Sequence, residues 1–287
     1  MILDHLSVLS DEVSQKFTDA LDWCVKNGFK YVEVRMVDGA NVANLDDAAV
    51  ERARSEVDKR KLIVSAIASP LFKCALDPKR PVQSGDLFGN KEEPLETHFA
   101  KLPRAIAIAK KLGTKMIRIF SFWREQEPRK YFPEIVEHLK KAAKIAEKEG
   151  VVLLLENENA CNGGYADETA EMVRKVASPA LRALWDPGNE NYGGRNCYPE
   201  GYVLLRGLFD HVHLKDSVFD AEGKPVCVPI GEGKTPLKAQ IEALVRDGYR
   251  GIYTLETRYT PKGGTAMQGT EQTLAGLKKI LSEAGLS

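Results

Sequence analysis

Eight short apolar runs rich in strand-forming residues recur along the chain, each followed by a longer stretch of helical periodicity. The runs cover residues 2–8, 31–36, 62–68, 115–120, 151–156, 181–186, 211–214 and 252–256. Each is short enough for a parallel strand buried on both faces. In the first helical stretch Phe17, Ala20, Leu21, Cys24 and Val25 fall at i, i+3, i+4, i+7 and i+8. Ser14 is placed to cap its start and Gly28 follows its end. The same reading predicts helices over 47–61, 95–112, 133–149, 167–176, 199–209, 237–247 and 270–284. Repeated β-α units predict a parallel sheet with crossover helices, and eight of them predict an α/β fold closed into a (β/α)8 barrel. With no linker or low-complexity tract to divide it, the chain reads as one domain over 1–287. Two long loops, 70–94 and 217–236, follow strands and read equally as lids or as plain surface loops.

The length of 287 residues suits this fold, which typically needs roughly 250. Lys plus Arg and Asp plus Glu both number 41, so the balance of charge gives no electrostatic footprint for nucleic acid or an anionic membrane. The five cysteines, Cys24, Cys74, Cys161, Cys197 and Cys227, form no C-x-x-C pair, which points to buried thiols in a reducing compartment. The amino-terminal segment has no basic stretch followed by an apolar run, and no apolar stretch approaches the roughly 20 residues of a membrane span. A cytoplasmic protein is expected, with a small molecule as its partner, no nucleic acid and no membrane; a homo-oligomer is left open.

Polar residues close the last four strand candidates: Glu156 in VVLLLENEN, Asp186 in LRALWDPGN, His213 in HVHLKD and Glu256 in IYTLETR. Parallel barrel strands all end on one face, so three carboxylates and one imidazole are expected to converge on one rim. Three oxygens and one nitrogen suit one hard or borderline divalent ion, with Mn²⁺ first and Mg²⁺, Co²⁺ or Zn²⁺ as alternatives. His213 is preferred to His211 because it lies nearer the strand's carboxyl end, and Glu156 to Glu158 because it closes the LLLE junction.

These residues carry a resemblance. Leu155-Glu156-Asn157, Trp185-Asp186-Pro187-Gly188-Asn189, the run from His211 to Asp216, Gly231-Glu232-Gly233 and Leu255-Glu256 resemble the sugar phosphate isomerase/epimerase family. So do Ser10-Asp11-Glu12-Val13 and Val32-Glu33-Val34-Arg35. This family is that of the xylose isomerase-like TIM barrels, which also include inosose dehydratases and apurinic-site endonucleases, and the likeness spans the chain. It implies that Glu156, Asp186, His213 and Glu256 hold the metal and that the two glutamates double as acid and base. The chain departs from the pattern at Asn189, where many members carry a His; an amide orients a hydroxyl but moves no proton near neutral pH. The endonuclease branch uses further His and Asp ligands, for which His5, His98 and His138 are badly placed, at a strand start or on helices.

The resemblance therefore implies an enzyme, an isomerase or epimerase of a small sugar, sugar phosphate or keto-polyol that moves a proton next to a carbonyl. A dehydratase of an inosose-like keto-polyol, a lyase cleaving a keto-glycoside and a non-catalytic sugar-binding barrel subunit are the alternatives. Glu156, Glu256 and Lys215 are the expected catalytic residues, Lys215 as electrostatic partner or leaving-group acid. Asn189, Arg258, Lys73 and Trp123 are the expected substrate contacts. Gly231-Glu232-Gly233 is a poor phosphate loop, since no helix start with a basic residue follows it.

Overall fold

The computed structural model describes residues 2–286 and consists of eight parallel strands ringed by helices. The barrel strands are β1 Leu6–Val8, β2 Tyr31–Val34, β3 Ile63–Ala68, β4 Met116–Ile119, β5 Val152–Glu156, β6 Leu181–Trp185, β7 Phe209–Leu214 and β8 Ile252–Leu255. Hydrogen-bonded pairing runs in chain order from β2 to β8, and β8 then pairs with β1. The remaining seam, between β1 and β2, is held by one parallel bridge, Leu9 to Glu33. The expected (β/α)8 barrel is thus nearly closed.

Alternation divides most strands between two environments, with a break in β3 where the pairing with β2 shifts register. Val32 and Val34, Ile117 and Ile119, Leu153 and Leu155, Val212 and Leu214, Tyr253 and Leu255 all join the main core under the helices. The positions between them face the barrel interior. There Ala66, Leu154 and Leu184 form a small dry cluster with Met116 and Val152. Inward positions nearer the strand ends carry Glu33, Arg118, Glu156, His211, His213 and Thr254, all buried. Period two therefore builds the fold on one face and a polar chamber on the other.

The helices follow the predicted stripes with local differences. Helix Phe17–Lys26 buries Phe17, Ala20, Leu21 and Cys24, but Val25 lies at the edge of the stripe and is 50% exposed. Trp23, on the opposite edge, is buried because its ring reaches Phe29. Ser14 is not the N-cap; its hydroxyl accepts from Lys16 N–H, and Asp38 of a neighbouring hairpin accepts the first helical N–H, that of Phe17, at 2.9 Å. Gly113 and Gly150 close helices Leu95–Leu112 and Phe132–Glu149 in the left-handed conformation, as expected.

Three sequence expectations fail in instructive places. Residues 2–5 form a 3₁₀ turn rather than the start of β1. Helix Ala266–Glu283 begins ahead of the expected 270 because Thr265 and Gln268 form a reciprocal capping box. The helix predicted over 199–209 is only a short wound segment, Cys197–Gly201 and Tyr202–Leu205. The spacing of Tyr202, Leu205 and Phe209 imitates a helical face, yet Gly207 takes φ +80° and Phe209 opens β7. Among the described residues no helix is long and apolar enough to cross a membrane.

Helix Ala266–Glu283 packs so closely on the 217–236 loop that a Cβ on Gly276 would lie 1.8 Å from the Ile230 carbonyl oxygen. Backbone cannot yield as a flexible side chain does. Gly276→Ala should therefore lower unfolding stability by about 1–3 kcal/mol despite its better helix propensity, read from the midpoint of chemical denaturation.

Candidate metal centre

Glu156 ends β5, Asp186 follows β6, His213 is the penultimate residue of β7 and Glu256 follows β8. One ligand atom from each of the four lies within 4.8 Å of every other, and all four residues are buried. His213 Nδ1 is 3.5 Å from Glu156 Oε1 and 3.4 Å from Glu256 Oε2. The second oxygen of each glutamate is taken by an arginine: Glu156 Oε2 lies 3.3 Å from Arg118 Nη1, and Glu256 Oε1 3.1 Å from Arg35 Nη1. Each glutamate thus turns one oxygen toward the imidazole and anchors the other.

Asp186 has two roles. Its Oδ1 accepts the Asn189 N–H at 2.9 Å and caps helix Pro187–Tyr192, while Oδ2 is 2.8 Å from Lys215 Nζ. The Asn157 side chain clasps the Asp186 backbone from both sides, donating to its carbonyl at 2.8 Å and accepting its N–H at 2.7 Å. Gly188 admits Lys215: a Cβ there would meet Lys215 Cγ at 2.2 Å. The ammonium sits between Asp186 and Glu256, 2.8 Å from each.

Glu33 orients the imidazole from below. Both its oxygens lie 3.2 Å from His213 Nε2, and Oε2 is also 2.7 Å from His211 Nε2, which reaches Thr254 Oγ1 at 2.8 Å. A carboxylate that takes the Nε2–H leaves Nδ1 as the atom presented to the three ligand carboxylates. Burial alone would lower the His213 pKa, but Glu33, Glu156 and Glu256 raise it well above its usual value. Burial lifts the Asp186 carboxyl to about 6; Lys215 opposes the rise and the two glutamates add to it. Burial also works against ionised Glu256, but Lys215, His213 and Arg35 hold it well below the usual carboxylate range.

These residues fit a divalent cation. His213 Nδ1 has no hydrogen-bond partner among the described residues, and Glu156 Oε2 and Asp186 Oδ2 are ion-paired with Arg118 and Lys215 without forming a well-directed hydrogen bond. Six buried or nearly buried carboxylates, Asp11, Glu12, Glu33, Glu156, Asp186 and Glu256, face three basic side chains, Arg35, Arg118 and Lys215, and the His213 imidazole, so they outnumber the cations even with that imidazole charged. An excess of buried negative charge is costly without a counter-ion, and three oxygens with one nitrogen match a hard or borderline one.

A cavity of about 570 Å³ opens beside the centre, lined among others by Lys73, Asn189, Lys215, Glu256 and Arg258. Asn189 donates to the Asn157 carbonyl at 2.7 Å and to Glu156 Oε1 at 3.4 Å. Arg258 pairs with Asp86 of the 70–94 loop at 3.0 Å, its backbone left-handed at φ +50°. Lys73 lies 3.4 Å from Glu158, which sits in the cavity wall away from the four ligands. Trp123 is not in that lining; it packs behind it with Phe88, Phe120 and Cys161. Gly231-Glu232-Gly233 does not face a ligand. The N–H groups of Gly231 and Gly233 donate to Asp216 Oδ2 at 3.0 and 2.9 Å, and a Cβ on Gly233 would lie 2.0 Å from Asp216 Oδ1. Sequence reasoning missed Glu33, Arg35 and Arg118 as parts of this centre; the available signal was a charged residue at an inward position of the apolar strands YVEVR and MIRI.

A model of the xylose isomerase-like TIM barrel matches residues 21–280. The chain belongs to that family. Solved structures of similar shape include a protein named IolI with a binding zinc atom, with a TM-score of 0.78, 19% identity and coverage of 98% of this chain and 99% of that one. The probable 3-DHS dehydratase AsbF from Bacillus anthracis gives a TM-score of 0.70 at 19% identity, covering 94% and 98%. The 3-keto-D-glucoside 4-epimerase YcjR from E. coli gives 0.71 at 16%, covering 96% and 99%. At these identities the likeness is one of fold. For this xylose isomerase-like barrel, elemental analysis of purified protein should find close to one divalent ion per chain, lost in Asp186→Ala and in His213→Ala. Glu33→Gln should keep that stoichiometry at saturation but weaken affinity by roughly 10–100-fold, measured by competition with a chelating dye. Unchanged affinity would show that Glu33 does not tune the imidazole.

Proposed function

We propose that this protein is a metal-dependent isomerase or epimerase of a small sugar, sugar phosphate or keto-polyol, and that it moves a proton on a carbon next to a carbonyl. One observation carries the reading: Glu156 and Glu256 turn one oxygen each toward His213 Nδ1 from two different strands, at 3.5 and 3.4 Å, beside a cavity large enough for a sugar. A divalent ion held by Glu156, Asp186, His213 and Glu256, with Mn²⁺ the first choice, would act as a Lewis acid on a carbonyl and its adjacent hydroxyl. Glu156 and Glu256 then serve as the base that takes the proton and the acid that returns it. Arg118 and Arg35, each on the far oxygen of one glutamate, keep those carboxylates aimed. Lys215, paired with both Asp186 and Glu256, supplies positive charge where negative charge develops on the substrate. Asn189 and Arg258 contribute hydrogen bonds to substrate oxygens, and Lys73 lines the same cavity.

One neighbour in fold is named as an epimerase at position 4 of a 3-keto-glucoside, which is consistent with a reaction beside a keto group, and another is named as a probable dehydratase. A lyase is the second reading, since loss of a hydroxyl begins with the same proton removal, and Lys215 stands next to Glu256 on the cavity side. Glu156→Gln and Glu256→Gln should each cut turnover by roughly 10²–10⁴-fold, the range for acid-base groups. Mass spectrometry should find solvent deuterium at a carbon-bound position of a ketose or keto-inositol turned over in heavy water. Full activity in both variants would reject the reading.

A further inference from the structure

Two buried cations beside the centre have too few partners. Arg118 is fully buried; its Nη1 meets Glu156, while Nε and Nη2 have no hydrogen-bond partner among the described residues. Lys73 is 1% exposed, and its carboxylate partner Glu158 lies at 3.4 Å, beyond the roughly 2.7–2.9 Å of a strong charge-assisted bond. Both cations flank the same pair of rings. Lys73 Nζ is 4.4 Å from the centroids of Phe88 and of Phe120, and the Arg118 guanidinium 4.7 and 5.0 Å from them. The rings stack on each other at 6.2 Å. Phe88 belongs to the 70–94 loop, and its ring also lies 5.0 Å from the Arg35 guanidinium. An aromatic face attracts a cation, but less strongly than an anion does.

We propose that the substrate carries an anionic group, a carboxylate or a phosphate, which binds Lys73 and Arg118 in the place held by the Phe88 ring. The inference rests on the reading of the cavity as a substrate site for a sugar-like molecule. Lys73, Phe88 and Glu256 line that one cavity, so an anion seated there shares it with the metal centre. Arg118 touches Glu156, which fixes the seat next to one of the two proton-transfer groups. The ring is carried by a loop rather than a strand: Asp86 accepts the Phe88 N–H at 2.7 Å and pairs with Arg258 at 3.0 Å. Arg118 is not itself part of the cavity lining, so on this proposal the anion displaces the Phe88 ring to reach it, while Lys73 already lines the cavity.

Titration calorimetry of the metal-loaded protein with D-glucuronate, D-glucose 6-phosphate and D-glucose tests this. At least one of the two anions should bind on the order of tenfold or more tighter than glucose, and which one it is tells a carboxylate from a phosphate. The preference should vanish in Lys73→Gln, which leaves the Arg118–Glu156 pair intact, and grow in Phe88→Ala, which removes the competing ring. No preference for either anion, or a preference unchanged in Lys73→Gln because the metal alone holds the anion, overturns the proposal. Deuterium incorporation into a neutral ketose, together with no such preference, would remove the anion seat and leave the proton-transfer reading standing.

Discussion

Charge taken out of water must be matched by charge, and the inner face of this barrel is arranged around that demand. Glu33 is wholly buried and is tolerated because two imidazoles meet it; Arg35 is buried and meets Asp11, Glu12 and Glu256. Such clusters add little to stability compared with apolar packing, since desolvation consumes most of the Coulomb gain. The stability of the chain comes from the outward face, where aliphatic residues of every strand meet the helices. The two faces can therefore serve different ends. The outer one holds the barrel together, and the inner one holds an arrangement of charge that only a rigid wall could keep in register.

Much of this was readable because parallel strands enforce a common polarity. Once eight β-α units are recognised, residues at the carboxyl ends of strands must share a rim, and Glu156, Asp186, His213 and Glu256 are such residues. The preference for His213 over His211 follows the same logic; in the structure His211 lies one inward position deeper, bound to Glu33 and Thr254. The unread part involves partners far apart in sequence. Nothing local to Arg118 announces Glu156, and nothing local to Glu33 announces two histidines on a strand across the barrel. Only closure of the ring brings them together.

Loops were legible in position but not in content. The 70–94 segment follows a strand as expected, yet the placing of Phe88 over three cations depends on side-chain packing that periodicity does not encode. The wound segment after β6 failed for a related reason. A three-and-seven spacing of large residues is shared by a helix and by a turn leading into a strand, and Gly207 decides between them.

The Asp216 carboxylate has one further meaning. Lys215 and Asp216 are neighbours that point in opposite senses, one toward Asp186 and Glu256 and one into its own loop. Asp216 gathers the N–H groups of Ser217, Gly231, Gly233 and Thr235. These bonds knot the base of the two-stranded ribbon Asp216–Phe219 and Pro225–Val228, whose second strand forms part of the cavity wall. A ribbon tied at its root can change length and lining at its tip without shifting Lys215. Within one scaffold, the ribbon side of the cavity wall is thus mechanically insulated from the charged cluster on the strand ends, and the lining can drift in the ribbon alone.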